Sequence, residues 1–181
     1  MQAIGFLELN SIAKGVESAD IVLKTADVSM VFSKAGCPGK YYILFTGEVA
    51  AVQASIDSGR EIGGKHVVDS CVIPNIHPQV VKAINMTNYP ENLQAIGVME
   101  FYSVTASVYG ADAAVKAADV DLVEVRLGTG IGGKSFVVLT GEVAAVRESV
   151  YCGIHTPNAE GMLVSSVVIP SPHKELLESL F

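Results

Sequence analysis

The chain has 181 residues, 50% of them hydrophobic and only 17% charged, with a mean hydropathy of +0.42 and a net charge of −7. No basic cluster or basic aromatic stripe is present, which argues against a nucleic-acid partner. No apolar run reaches the ~18 residues a membrane span needs, and with Met1-Gln2 leading straight into an apolar strand no signal peptide is expected.

Ala3 to Leu9 is an apolar run carrying Gly5 and Glu8, and it predicts a buried strand. Asn10-Ser11 offers an N-cap, after which Ile12, Val16, Ala19, Val22, Leu23 and Ala26 recur at helical spacing. Val28 to Phe32 is β-branched and apolar, a second strand, broken by Ala35-Gly36-Cys37-Pro38-Gly39. Tyr41 to Thr46 is a third strand. Gly47-Glu48 then turns into a helix from Val49 to about Ser58, with stops at Gly59 or Gly63-Gly64. Val67 to Ile73 is a fourth strand closed by Pro74, and Gln79 to Ile84 predicts a short helix.

The same order then repeats. Ala3 to Glu8 returns as Ala95 to Glu100 at an offset of 92 residues, and Leu23 to Val28 as Val115 to Val120 at the same offset. Thr46 to Val52 returns unchanged as Thr140 to Val146 at 94, and Val72-Ile73-Pro74 with His77 as Val168-Ile169-Pro170 with His173 at 96. Two residues are therefore inserted between Val120 and Lys134 and two more near Cys152 to Gly161, both expected in loops. The chain divides into a first domain over 1–88 and a second over 94–181, with a linker over about 85–93 that holds the turn residues Asn88 and Pro90. The second repeat runs from Gln94 to Leu180. Each repeat has four strands and two main helices, the α+β plan of a ferredoxin-like βαββαβ domain, a four-stranded antiparallel sheet covered by helices on one face. The composition is greasy for two such small domains, and burial against other subunits explains it better than two well-filled cores do.

The copies differ most between strands two and three. The first has Gly36-Cys37-Pro38-Gly39-Lys40 and the second Gly130-Ile131-Gly132-Gly133-Lys134, so Cys37 aligns with Ile131. A cysteine in a Gly/Pro loop between Lys34 and Lys40 has the electropositive setting that favours a thiolate, the form that binds metal or reacts. Taken by itself, a lone loop cysteine is more often an incidental, inert thiol. One thiolate is too few for structural zinc or an iron–sulfur cluster, although a threefold axis would multiply it. Cys71, inside an apolar strand, reads as core, and Cys152 as packing or surface. An odd cysteine count without CxxC spacing argues against a disulfide framework and for a reducing compartment.

Gly128 to Lys134 superficially resembles a phosphate-binding loop, but a strand over Phe136 to Leu139 follows where that motif needs a helix. His77 and His173 are repeat equivalents before the last helix, and Glu8 and Glu100 are equivalents within strands; both pairs read as structural. No Ser–His–Asp or paired-carboxylate arrangement can be assembled, so the chain is not expected to be an enzyme.

The Ala-Ile-Gly-x-x-Glu opening strand, Lys-x-Ala-x-Val after the first helix, Thr-Gly-Glu-Val-Ala-Ala-Val and the Ile-Pro-x-x-His ending resemble the domain of bacterial microcompartment (BMC) shell proteins, twice over and along nearly the whole chain. The resemblance implies a structural shell protein in the bacterial cytoplasm: a homotrimer of tandem BMC domains that imitates a hexameric tile around a central pore, packed among other shell proteins. It implies that Gly36, Cys37, Pro38, Gly39, Lys40, Ile131, Gly132 and Gly133 form the pore loops, and that Lys24 and Lys116 sit at the tile-edge contact. The family's Ile-Pro-Arg-Pro-His ending is here Ile73-Pro74-Asn75-Ile76-His77 and Ile169-Pro170-Ser171-Pro172-His173, without the arginine.

The pore loop is similar to that of the iron–sulfur-binding members from propanediol-utilisation-type compartments. That similarity implies one [4Fe–4S] cluster per trimer, held by Cys37 of three subunits, with a role in electron transfer across the shell or in docking a lumenal or cytosolic redox enzyme. A cluster-free tile with a small-molecule pore, and a regulatory protein binding a ligand between duplicated ferredoxin-like domains, are the alternatives.

Overall fold

Strand β1 (Ala3–Leu9) is buried along its whole length, because it lies second from one edge of a sheet and is flanked on both sides. In the computed structural model, which describes residues 3–88 and 94–176, the strand order of the first sheet is β2 (Val28–Gly36), β3 (Lys40–Gly47), β1, β4 (Val67–Ile73), all antiparallel. Helix α1 (Ile12–Thr25) begins at Ser11, whose side chain accepts the Lys14 N–H. Helix α2 is Val49–Gly63. Both pack on the sheet face lined by Ala3, Leu7, Tyr41, Ile43 and Phe45, closing a core with Ala19, Val22, Val52 and Ile56. This is the four-stranded antiparallel sheet with helices expected from the repeat.

The second half reproduces the plan with β5 (Ala95–Phe101), α4 (Val104–Ala117), β6 (Val120–Leu127), β7 (Ser135–Gly141), α5 (Val143–Ile154) and β8 (Leu163–Ile169), in the sheet order β6-β7-β5-β8. Ser103 caps α4 as Ser11 caps α1, and the hydroxyls of Thr46 and Thr140 donate to the carbonyls of Ala3 and Ala95. The repeated threonine is thus a repeated cross-strand tie.

Strand β2 is longer than its apolar run, helix α2 ends at the second of its two expected stops, and helix α5 is shorter than its counterpart, each for a physical reason. Strand β2 runs past Phe32 to Gly36, because the hairpin pairing with β3 continues down to Gly36 opposite Lys40. Helix α2 runs through Gly59 to Gly63, and the left-handed Gly64 (φ 53°) ends it. A Cβ at Gly59 would meet Val22 Cγ2 at 2.9 Å and Leu7 Cδ2 at 3.1 Å, so this glycine lets α2 approach α1 and the sheet. Helix α5 stops at Ile154, earlier than its counterpart. The extra residues form the turn that carries a short 3-10 segment at Pro157–Ala159.

Helix α3 (Pro78–Asn85) follows the first repeat in sequence, yet the compact units are Met1–Ile76 and His77–Phe181, and α3 packs on α4 and β6 of the second. His77 caps it, Nδ1 accepting the Gln79 N–H at 3.4 Å, and His173 does the same for Glu175 at 3.3 Å, where residues 174–176 are helical. Both histidines are thus structural. Pro90 of the linker and Leu180 at the end of the second repeat lie outside the described residues. None of the described helices is long and apolar enough to cross a membrane.

Candidate functional site: the two hairpin tips

Cys37, Pro38 and Gly39 form the whole tip of the β2–β3 hairpin, since Gly36 and Lys40 still pair across it. Gly39 has φ +77°, a conformation that strains any residue with a Cβ, although nothing lies within 4 Å of where a Cβ would be. The Cys37–Pro38 peptide bond is cis. Cys37 is partly exposed and its thiol is free, as are those of Cys71, which is buried, and Cys152.

Two neighbours hold the tip. The hydroxyl of Tyr42, a fully buried residue, donates to the Cys37 carbonyl at 3.1 Å. Gly36 makes room for that ring, because a Cβ there would sit 2.0 Å from Tyr42 Cε2. The repeat equivalent of Tyr42 is Phe136, so the second hairpin has no such hydroxyl. Sequence comparison of the copies carried that signal in the Tyr42/Phe136 difference, next to the more conspicuous Cys37/Ile131 one.

Burial, together with the negative charges of Glu8 and Cys37, pushes the Tyr42 phenol up to about 12. Its ordinary value is near 10. A folded-state value above the unfolded one stabilises the fold fully below about pH 10 and loses that contribution as pH rises towards 12. Urea midpoints measured across that interval should therefore fall more steeply for the parent protein than for Tyr42→Phe. Equal slopes would show that Tyr42 is not protected from ionisation.

The lysines flanking Cys37 are engaged elsewhere. Lys40 pairs with Glu8, whose side chain is only 3% exposed, and the Lys34 ammonium lies 4.5 Å from the centre of the Phe32 ring. Of the two charges read from sequence as acting on the thiol, that of Lys40 is compensated by a buried carboxylate. In the second copy Lys134 pairs with the equivalent Glu100, which raises the lysine's pKa, and both of those groups are more exposed. Glu8 and Glu100 are therefore structural partners of the lysines that end each hairpin.

The second tip is longer. Leu127 pairs with Ser135 as Ala35 pairs with Tyr41, and between these pairs lie residues 128–134 in place of 36–40. The two-residue insertion is wholly in the turn. Ile131, Gly132 and Gly133 lie in it, and Gly128, Gly130, Gly132 and Gly133 all have positive φ, so the glycines serve a tight turn. No helix follows to make a phosphate site; strand β7 does.

Lys24 and Lys116 occupy matching places on α1 and α4, each 2.5 Å from a carboxylate one turn earlier, Asp20 and Asp112 respectively. Cys152 lies 3.4 Å from Glu148, and burial followed by that carboxylate pushes its thiol up. That suits packing better than ligation.

Among the described residues of one chain, no group of three His, Cys, Asp or Glu side chains is arranged to hold a metal. The chemistry of Cys37 fits an iron–sulfur group, a soft thiolate donor at an accessible tip, only where several chains contribute one each.

A sequence model of the BMC domain matches residues 3–76 and again 95–172. The chain is 45% identical to the bacterial microcompartment shell protein PduT of Citrobacter freundii, over 97% of this chain and 95% of that one. A crystal structure of a microcompartment protein from Desulfitobacterium hafniense superimposes with a TM-score of 0.92 at 48% identity, covering 98% of this chain and 99% of the other. The shell protein EutM of Salmonella typhimurium is 38% identical over 87 residues, 48% of this chain and 88% of its own length.

Proposed function

Because the chain belongs to the bacterial microcompartment shell-protein family, with a BMC domain in each half, we propose that it forms a trimeric shell tile whose three Cys37 thiolates hold one [4Fe–4S] cluster at the central pore. It is a structural component of the microcompartment shell, not a catalyst. That membership removes the motive for reading the duplicated fold as a ligand-binding regulator.

The observation that carries the cluster reading is the asymmetry of the hairpin tips. Only the first has a thiol, and that thiol belongs to the first residue of a three-residue turn braced by Tyr42 and Gly36. Six equivalent positions around a pore would thus be three cysteines and three isoleucines. Three thiolates are one fewer than a cubane cluster usually takes, leaving one iron open to an outside ligand. Bound there, such a cluster would supply one-electron transfer between the two sides of the shell, or to a redox enzyme docked on one side. The chain's own part is to present Cys37 at the tip, to fix its carbonyl through Tyr42, and to keep the Lys40 charge paired with Glu8.

Anaerobic reconstitution with iron and sulfide tests this. The expected result is a brown trimer with about four irons per three chains. A trimer that takes up no iron would leave the cluster-free tile, a pore lined by glycine and Ile131 that passes small molecules. Lys24 and Lys116 would then serve the tile edge in either case, through contacts with other shell proteins.

A further inference from the structure

The two hairpins differ in charge as well as in sulfur. Lys34 and Arg126 are repeat equivalents on β2 and β6, paired across the hairpin with Tyr42 and Phe136 respectively. In the second copy the arginine is neutralised where it stands. Its Nε donates to Glu124 at 2.6 Å, that carboxylate is only 10% exposed, and the guanidinium carbon lies 5.5 Å from the centre of the Phe136 ring.

The first copy has Phe32 at the position of Glu124. Lys34 therefore meets an aromatic ring where Arg126 meets a carboxylate. Among the described residues no carboxylate pairs with Lys34, and the residue is exposed. A ring face attracts a cation without cancelling its charge. Both cations of the second hairpin, Arg126 and Lys134, are thus compensated by glutamates, and so is Lys40 of the first. Lys34, three residues before Cys37, is the cation left over, and it stands on the tip that has the thiol. Its sign is opposite to the chain's net charge of −7.

We propose that Lys34 sets a positive field at the Cys37 tip and thereby favours the reduced, more negative state of the cluster held there. This rests on the cluster reading above and adds the residue that tunes it. A thiolate-ligated cluster is an anion, and its reduction potential follows the charge around it. In the step concerned one electron enters from a one-electron carrier on either side of the shell, no bond forms or breaks, and no proton moves. A fixed cation on each of the three thiol-bearing hairpins lowers the cost of that added charge. An arginine cancelled by its own glutamate does not. The Lys34 ammonium has no lone pair to offer iron, so its part is electrostatic.

Two measurements on the full chain test it. In iron-free protein, alkylation of Cys37 by iodoacetate and by neutral iodoacetamide is followed by mass spectrometry of its peptide. Thiolate content enters both rates alike, so their ratio reads the local field. Lys34→Gln should lower the iodoacetate-to-iodoacetamide ratio about threefold, Lys34→Arg should restore it, and 1 M salt should erase most of the difference. In iron-loaded protein, a dithionite titration followed by electron paramagnetic resonance should show the reduced form of Lys34→Gln about tenfold less populated at a given potential, a downward shift of about 60 mV. An alkylation ratio that Lys34→Gln leaves unchanged overturns the inference. So does a change that Lys34→Arg does not restore or that salt does not weaken, because a structural disturbance would behave in that way. An iron-loaded parent with the same potential as Lys34→Gln overturns the inference and leaves the cluster standing. A parent that takes up no iron overturns both.

Discussion

Serine in place of Cys37 is expected to abolish iron uptake while leaving the fold and the trimer unchanged. The side chain stands on a partly exposed tip, and the tip is held by the Gly36–Lys40 pairing and by the Tyr42 hydroxyl on the Cys37 carbonyl. None of these uses the sulfur. Serine is nearly isosteric, so cavity and strain costs are small. What changes is the donor, because a hydroxyl stays protonated near neutral pH and is a hard ligand, whereas iron–sulfur clusters require thiolates. Iron per trimer should therefore fall from about four to background. Light scattering and the thermal midpoint should match those of the parent. A brown, iron-loaded Cys37→Ser protein would exclude Cys37 as the ligand, and a colourless parent after reconstitution would exclude the cluster itself. The same experiment on Cys152→Ser should change nothing, since that thiol is engaged with Glu148 on α5.

Removing the Lys40 charge is expected to cost about 3 kcal/mol of folding stability, the larger of the two structural effects. Glu8 has 3% of its side chain exposed, and Lys40 is the partner of its carboxylate. In Lys40→Met the carboxylate stays buried without its counter-ion, and the penalty is that of an uncompensated charge rather than of a lost surface pair. The double variant Glu8→Met with Lys40→Met should recover much of the loss, because two apolar groups replace two charges of similar volume. Lys134→Met should lose less than Lys40→Met. Its partner Glu100 is 33% exposed and water can take over the solvation of the carboxylate. Urea unfolding of the four proteins checks the order. Equal losses for Lys40→Met and Lys134→Met would show that burial does not set the strength of these pairs.

The two repeats therefore use one device in two environments, and their sequences differ little at it. Glu8 and Glu100 occupy the same place in the motif, and only the packing around them makes one buried and the other not. The same holds for Ile12 and Val104, whose roles in α1 and α4 look alike in a helical pattern but whose exposures are 49% and 1%. Periodicity states which face of a helix is apolar; it does not state what covers that face.

The amino-acid sequence alone determined the duplication, the element order of each half, the loop location of both insertions and the single cysteine tip. These follow from local physics. Strand and helix periods, N-cap serines, glycine stops and repeated blocks are all properties of residues near one another in the chain. Tertiary structure decided what depends on residues distant in sequence. Glu8 takes the charge of Lys40 across 32 positions, although the local pattern set that lysine beside Cys37. Tyr42 braces the cysteine loop from within the buried face of β3, where a tyrosine pattern reads simply as strand. Helix α3, which the repeat assigns to the first half, packs with the second, because a helix seats where its apolar residues and the unpaired groups of a sheet edge are satisfied together.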